Sequence, residues 1–101
     1  MNFNLNWNIK EFDGSDSGQH AGKLLGNALS MSNVNPIEKI AAWGRRLRVD
    51  GILEIDQIDT DVLIVLLKTS TQIPLTAECR AQIYEFLEAQ KEKQSKKLNS
   101  K

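Results

Sequence analysis

Residues 3 to 9 read Phe, Asn, Leu, Asn, Trp, Asn, Ile, with every odd position apolar and every even position polar. A period of two over that length marks an extended strand with one buried face. A lone strand leaves a row of backbone donors and acceptors unpaired, so this one must find a partner. Three are available: Lys10 to Phe12 folding back as a hairpin, the short segment Ile52 to Ile55, or the same strand of a second molecule across a two-fold axis. The third would make a homodimer, and strand addition to a foreign protein is its close relative.

Everything after the strand has a helical period. Asp13 to Gly18 is a cluster of turn formers that ends the extended stretch. From about Gln19 to Met31, Ala21, Leu24, Leu25, Ala28 and Leu29 recur at spacings of three and four and define a first helix. Asn35 before Pro36 opens a second, which carries Ile37, Ile40, Ala41, Gly44 and Leu47 on one side and Trp43 at its edge, and closes at Gly51. Asp56 caps a third helix reaching Lys68 or Thr69. Its run Val62 to Leu67 covers more than one face, which predicts the most buried segment of the fold; a short buried strand is the competing reading of this β-branched run, and the acidic cap before it favours helix. Thr76 caps a fourth helix with Cys79, Ile83, Phe86 and Leu87 inward. The expected fold is therefore mainly α, of α+β type, with about four helices and one N-terminal strand or hairpin. Residues 1–90 form a single compact helical domain, and residues 91–101 a flexible Lys-rich tail whose one large apolar side chain is Leu98.

Length and charge narrow the function classes. A chain of 101 residues with 41% hydrophobic side chains suffices for one core. Lys plus Arg and Asp plus Glu are 13 each, so no net charge drives the chain toward nucleic acid or anionic lipid. Cys79 is the single cysteine, which removes any internal disulfide and suits a reducing cytoplasm. The alternating Asn of the amino terminus is unlike a secretion signal, and the apolar run Val62 to Leu67 is far short of a membrane span.

Gly18 to Lys23 imitates a phosphate-binding loop, but three residues separate its glycines where four are needed, and Leu24 replaces the magnesium-binding hydroxyl. His20, the single histidine, has no ligand-spaced partner and reads as a surface or capping imidazole. Cys79 falls on an apolar stripe and reads as core. Asp50, Glu54, Asp56, Asp59 and Asp61 lack the ordered spacing of a calcium loop and fit helix starts. No catalytic constellation or cofactor motif emerges, and the expectation is a protein without an enzymatic site.

Two surfaces remain. Gly18, Gly22 and Gly26, spaced by four, predict a smooth stripe along the first helix that another backbone or an aromatic ring can approach closely, with Trp7 or Trp43 the natural candidate to lie there. Those five residues are the candidate partner-binding region, since aromatics dominate interface energetics when exposed. Arg45, Arg46 and Arg48 with the tail lysines, Lys96 and Lys97 among them, form the alternative: a nucleic-acid-binding regulator.

The strand, the Asp13-Gly14 turn, the segment Gly22 to Leu29, the segment Trp43 to Leu47, Ile55-Asp56 before a helix and Leu75-Thr76 before another together resemble small proteins encoded by phages and prophages. The resemblance spans residues 3 to 88. It implies a virus or mobile-element origin and action inside a bacterial host; the candidate surfaces themselves make an interaction protein, an adaptor, assembly factor or inhibitor acting through a protein surface, the expected function. The resemblance transfers no catalytic or binding residue, and the three-arginine cluster departs from it.

Overall fold

The computed structural model describes the backbone of residues 1–99 and the side chains of residues 1–95. The elements run β1 (Asn2–Asn4), β2 (Asn8–Lys10), β3 (Asp16–His20), α1 (Ala21–Met31), α2 (Ile37–Asp50), β4 (Ile52–Glu54), α3 (Gln57–Thr69) and α4 (Ala77–Asn99). Four helices and two small antiparallel sheets make the fold mainly α with some β.

The amino-terminal alternation survives as a burial pattern. Phe3, Leu5 and Ile9 point into the core, while Asn2, Asn4 and Asn6 are exposed. As a ladder, however, the stretch changes partner half-way. β1 pairs with β4, with Phe3 opposite Leu53, and β2 pairs with β3. Between them Leu5 donates its N–H to the Gly51 carbonyl and accepts from Gly22, and the Trp7 carbonyl accepts from Ala21. The segment at residues 52–55 is thus one true partner. A hairpin is the other, but its returning strand is β3, because Lys10 to Phe12 run into a turn in which Glu11 donates to Ser15 and Gly14 donates to Glu11. Asn8 faces His20 and Lys10 faces Asp16, so a bulge of β3 stands opposite Ile9. Gly18 lies in that bulge at φ +76°, which only glycine adopts cheaply. It belongs to the strand, and the helical stripe loses its first member.

The caps follow the sequence at α1, α3 and α4, whereas at α2 Pro36 rather than Asn35 holds the capping position and no side-chain bond closes that end. His20 receives the Lys23 N–H at the start of α1, Asp56 receives that of Asp59 at the start of α3, and Thr76 receives that of Cys79 at the start of α4. α2 begins just after Pro36 and closes on Gly51 at φ +72°, whose N–H bonds the Leu47 carbonyl. Any side chain at Gly51 would also strike the Asn6 carboxamide, 2.2 Å from the place of a Cβ.

Two expectations need correction. The run Val62 to Leu67 is helical but not wholly buried. Leu63, Ile64 and Leu67 face inward while Val65 is 55% exposed, since a helix packed on one side can bury only one stripe. The Lys-rich segment does not start as irregular chain after Gln90 either, because α4 continues to Asn99. Its Glu, Gln and Lys residues are good helix formers uninterrupted by Gly or Pro, and Lys91 pairs with Asp61 while Gln94 holds the backbone of Asn2.

All four helices and three of the strands feed one apolar cluster, from Phe3 and Ile9 through Leu25, Trp43, Leu53 and Leu67 to Leu87. Arg80 closes the turn between α3 and α4 by donating to the carbonyls of Leu67, Ser70, Ile73 and Leu75. Among the described residues, no helix is long and apolar enough to cross a membrane.

Candidate functional site

The proposed aromatic-and-glycine contact region is taken up by the fold itself. Trp43 is only 7% exposed and belongs to the core. Trp7 is half-buried, its ring 5.1 Å from that of Phe86 and tilted 51° to it. Its indole N–H is buried without a hydrogen-bond partner. Gly22 and Gly26 do permit close approach, and what approaches is backbone, of Leu5 and Gly44, together with the side chains of His20, Arg48 and Leu47, not a tryptophan ring. A Cβ on Gly22 would lie 3.1 Å from the Leu5 carbonyl oxygen, and Gly26 abuts Gly44 of α2. Gly22, Gly26 and Trp43 thus help to assemble the domain, while Gly18 is exposed on β3 and the edge of Trp43 lines an open cleft with Met1, Ala42 and Arg46.

The polar candidates are likewise engaged. The His20 ring accepts from Lys23 through Nδ1, and its Nε2 lies 3.1 Å from the Asn6 Oδ1, a pairing that requires the proton on Nε2. Asn6 also donates to the Asp50 carbonyl, so this one amide ties the amino-terminal stretch to the start of α1 and the end of α2. Asp50 pairs with Arg46, Asp59 with Lys39, and Asp61 with Lys91. Asp56 is spent on its cap. Among the described residues no group of three His, Cys, Asp or Glu side chains converges to hold a metal. Cys79 lies buried on the inner stripe of α4.

Arg45, Arg46 and Arg48 are exposed along α2. Arg46 is 3.3 Å from Asp50, and Arg48 reaches back toward the Gly44 carbonyl at 3.4 Å. Val49 sits among them, open to solvent. The side chains of Lys96 and Lys97 lie outside the described residues, so the structure does not join them to this patch.

The most exposed large apolar side chain is one that the periodicity does not single out. Phe12 is 95% exposed at the tip of the β2–β3 hairpin. Its turn is tightly made. Besides the two backbone bonds of Glu11, the Asp13 carboxylate accepts from both the N–H and the hydroxyl of Ser15, at 2.9 and 2.6 Å. Asp16 accepts from the Gly18 N–H at 2.7 Å and from the Asn8 amide at 3.0 Å. These bonds hold both carboxyls below the ordinary carboxylate range: for Asp13 chiefly the Ser15 hydroxyl, for Asp16 chiefly the Gly18 N–H. The base of the tip, between Ile9, Lys10, Ser17, Thr76 and Glu78, is a shallow cleft of about 220 Å³. That is smaller than the pockets that enclose drug-sized ligands. A signal for Phe12 did exist in the sequence: it is an apolar residue at an even position, out of phase with the odd-numbered core side chains.

No protein family, curated protein or solved structure matches this chain. Its function must be argued from its own surface.

Proposed function

We propose that this chain is a non-catalytic protein–protein interaction module, a phage-type adaptor, assembly factor or inhibitor acting on another protein in a bacterial cytoplasm, with Phe12 as its anchor. One observation carries the reading: a phenylalanine 95% exposed at the tip of a hairpin whose turn is fixed by side-chain hydrogen bonds. Exposing that ring has no benefit to the isolated fold. In a partner's pocket the same ring would be an anchor of the kind that dominates interface energetics, and a turn already ordered reduces the entropy lost on binding. A single free thiol and no disulfide favour the reducing compartment.

The test is affinity capture from host lysate, with and without nuclease, using the tagged wild type and Phe12→Ala. A protein recovered by the wild type in both conditions and weakened by roughly 30-fold or more in the variant supports the anchor. Equal recovery by the two chains contradicts it.

The exposure of three arginines on one helix supports a second reading, nucleic-acid binding through Arg45, Arg46 and Arg48. Replacing all three with Gln then weakens DNA or RNA binding and flattens its salt dependence. The ion pair of Arg46 with Asp50 ranks this reading second, because it already neutralises one of the three charges.

A further inference from the structure

In an antiparallel ladder, alternate residues aim both backbone groups at the same neighbour. On β1 the odd positions face β4. Ile55 donates to the Met1 carbonyl at 2.9 Å and Leu5 donates to that of Gly51 at 2.8 Å, with Phe3 opposite Leu53 between them. Asn2 and Asn4 therefore aim their N–H and C=O along the outer edge of β1, where no strand lies.

At Asn2 that edge is covered by a side chain. Gln94 of α4 accepts the Asn2 N–H at 3.0 Å and donates to the Asn2 carbonyl at 2.9 Å. A carboxamide offers the donor and acceptor of a peptide group, so Gln94 stands where a residue of another strand would pair. Gln82, earlier on α4, does the same for Lys10 of β2, with both bonds at 2.9 Å.

The two clamps differ in what anchors them. Gln82 is flanked by the buried side chains of Cys79, Ile83 and Leu87. Beyond Leu87 no residue from 88 to 95 is buried, and the ties of this half to the body are polar, among them Gln94 to Asn2, Lys91 to Asp61 and Glu88 to Lys68. Solvated ties of this kind put a segment at the low-stability end of a fold.

We propose that the carboxy-terminal half of α4 is a latch over the β1 edge, and that its release lets two copies of the chain join β1 to β1, antiparallel about a two-fold axis through Phe3. The occupant is a second copy because the edge is complementary to itself. With Phe3 on the axis, Asn2 faces Asn4 of the second copy and Asn4 faces its Asn2, so each outward N–H meets an outward carbonyl. Both Phe3 side chains then stay over their own cores. The exposed side chains brought together are uncharged asparagines, which set no like charges against each other. The product is a continuous sheet in the order β4-β1-β1-β4. Phe12 has no part in it, so the hairpin reading and this one stand or fall separately.

The test compares wild type with a Lys91→Ala, Gln94→Ala double variant by sedimentation over a range of concentrations. Loss of two exposed hydrogen bonds and one ion pair opens each latch by about ten-fold or more, and because both copies must open, dimerisation strengthens by about the square of that factor, about 100-fold. Adding Asn4→Pro, whose missing N–H lies on the side away from β4, returns the open variant to monomer. Unchanged association in the double variant, or a dimer that persists with Asn4→Pro, overturns the proposal. Hydrogen exchange on the wild-type chain gives an answer that needs no variant to fold. Amides of residues 90–95 exchange about ten-fold or more faster than those of residues 79–87; equal protection of the two halves contradicts the latch.

Discussion

Gly26 of α1 and Gly44 of α2 meet so closely that a Cβ on either would lie 2.9 Å from the other's carbonyl oxygen. The contact is reciprocal, backbone against backbone, and it sets how near the two helices approach. A methyl at either site recovers about 1 kcal/mol of helix propensity but meets an overpacking cost of about 1–3 kcal/mol. Gly26→Ala should therefore lower stability by up to about 2 kcal/mol in urea unfolding. Gly44→Ala should cost more, because its Cβ would also lie 2.6 Å from the Ser30 hydroxyl. Stability above wild type in both variants, by the full gain in helix propensity, would mean that the crossing can open at no cost.

The two tryptophans should separate. Trp43→Ala removes a core side chain and is expected to cost about 3–5 kcal/mol. Trp7→Phe keeps a ring against Phe86 and deletes a buried donor with no partner, so it should fall within about 1 kcal/mol of wild type. Thermal unfolding of both variants measures the contrast.

Arg80 serves four carbonyls from one guanidinium. Lysine preserves the charge but not the planar fork that reaches several acceptors at once. Arg80→Lys should cost about 2–3 kcal/mol and raise hydrogen exchange selectively across residues 67–75. A loss spread evenly over the chain would refute a local role.

The hairpin tip should loosen in acid. Asp13 and Asp16 have folded pKa values held below the ordinary 3.8, so their contribution is present above the unfolded value and disappears as pH falls through the lower folded values. Amide shifts of Ser15 and Gly18 should stay constant from neutral pH down to about the unfolded carboxylate value and then move together. Movement near pH 6 would point to some other group.

Signals confined to a few adjacent residues were legible. Asp56, Thr76 and Gly51 each mark a helix end by local chemistry, and each does so in the fold. The inward phase of Phe3, Leu5 and Ile9 was equally plain, being fixed by a period of two. Which strands would receive that stretch was not, because the choice between β3 and β4 is made by residues up to 54 positions away. Spacing alone misplaced Gly18, since nothing in a four-residue interval shows that the helix starts only at Ala21. Composition alone detached the Lys-rich segment, because the amide clamp of Gln94 on Asn2 has no local signature. Arg80 and Gln82 escaped for the same reason: a polar residue on a helix reveals its acceptors only after the chain has folded.

Phe12 is the proposed point of contact. The most direct test is a photoreactive phenylalanine analogue placed at position 12, with position 49 on α2 as the comparison, irradiated in the bacterial host. One discrete protein adduct is expected from position 12 and none from position 49. Adducts from position 49 alone, or nucleic-acid adducts beside the α2 arginines with none at the hairpin tip, would contradict it.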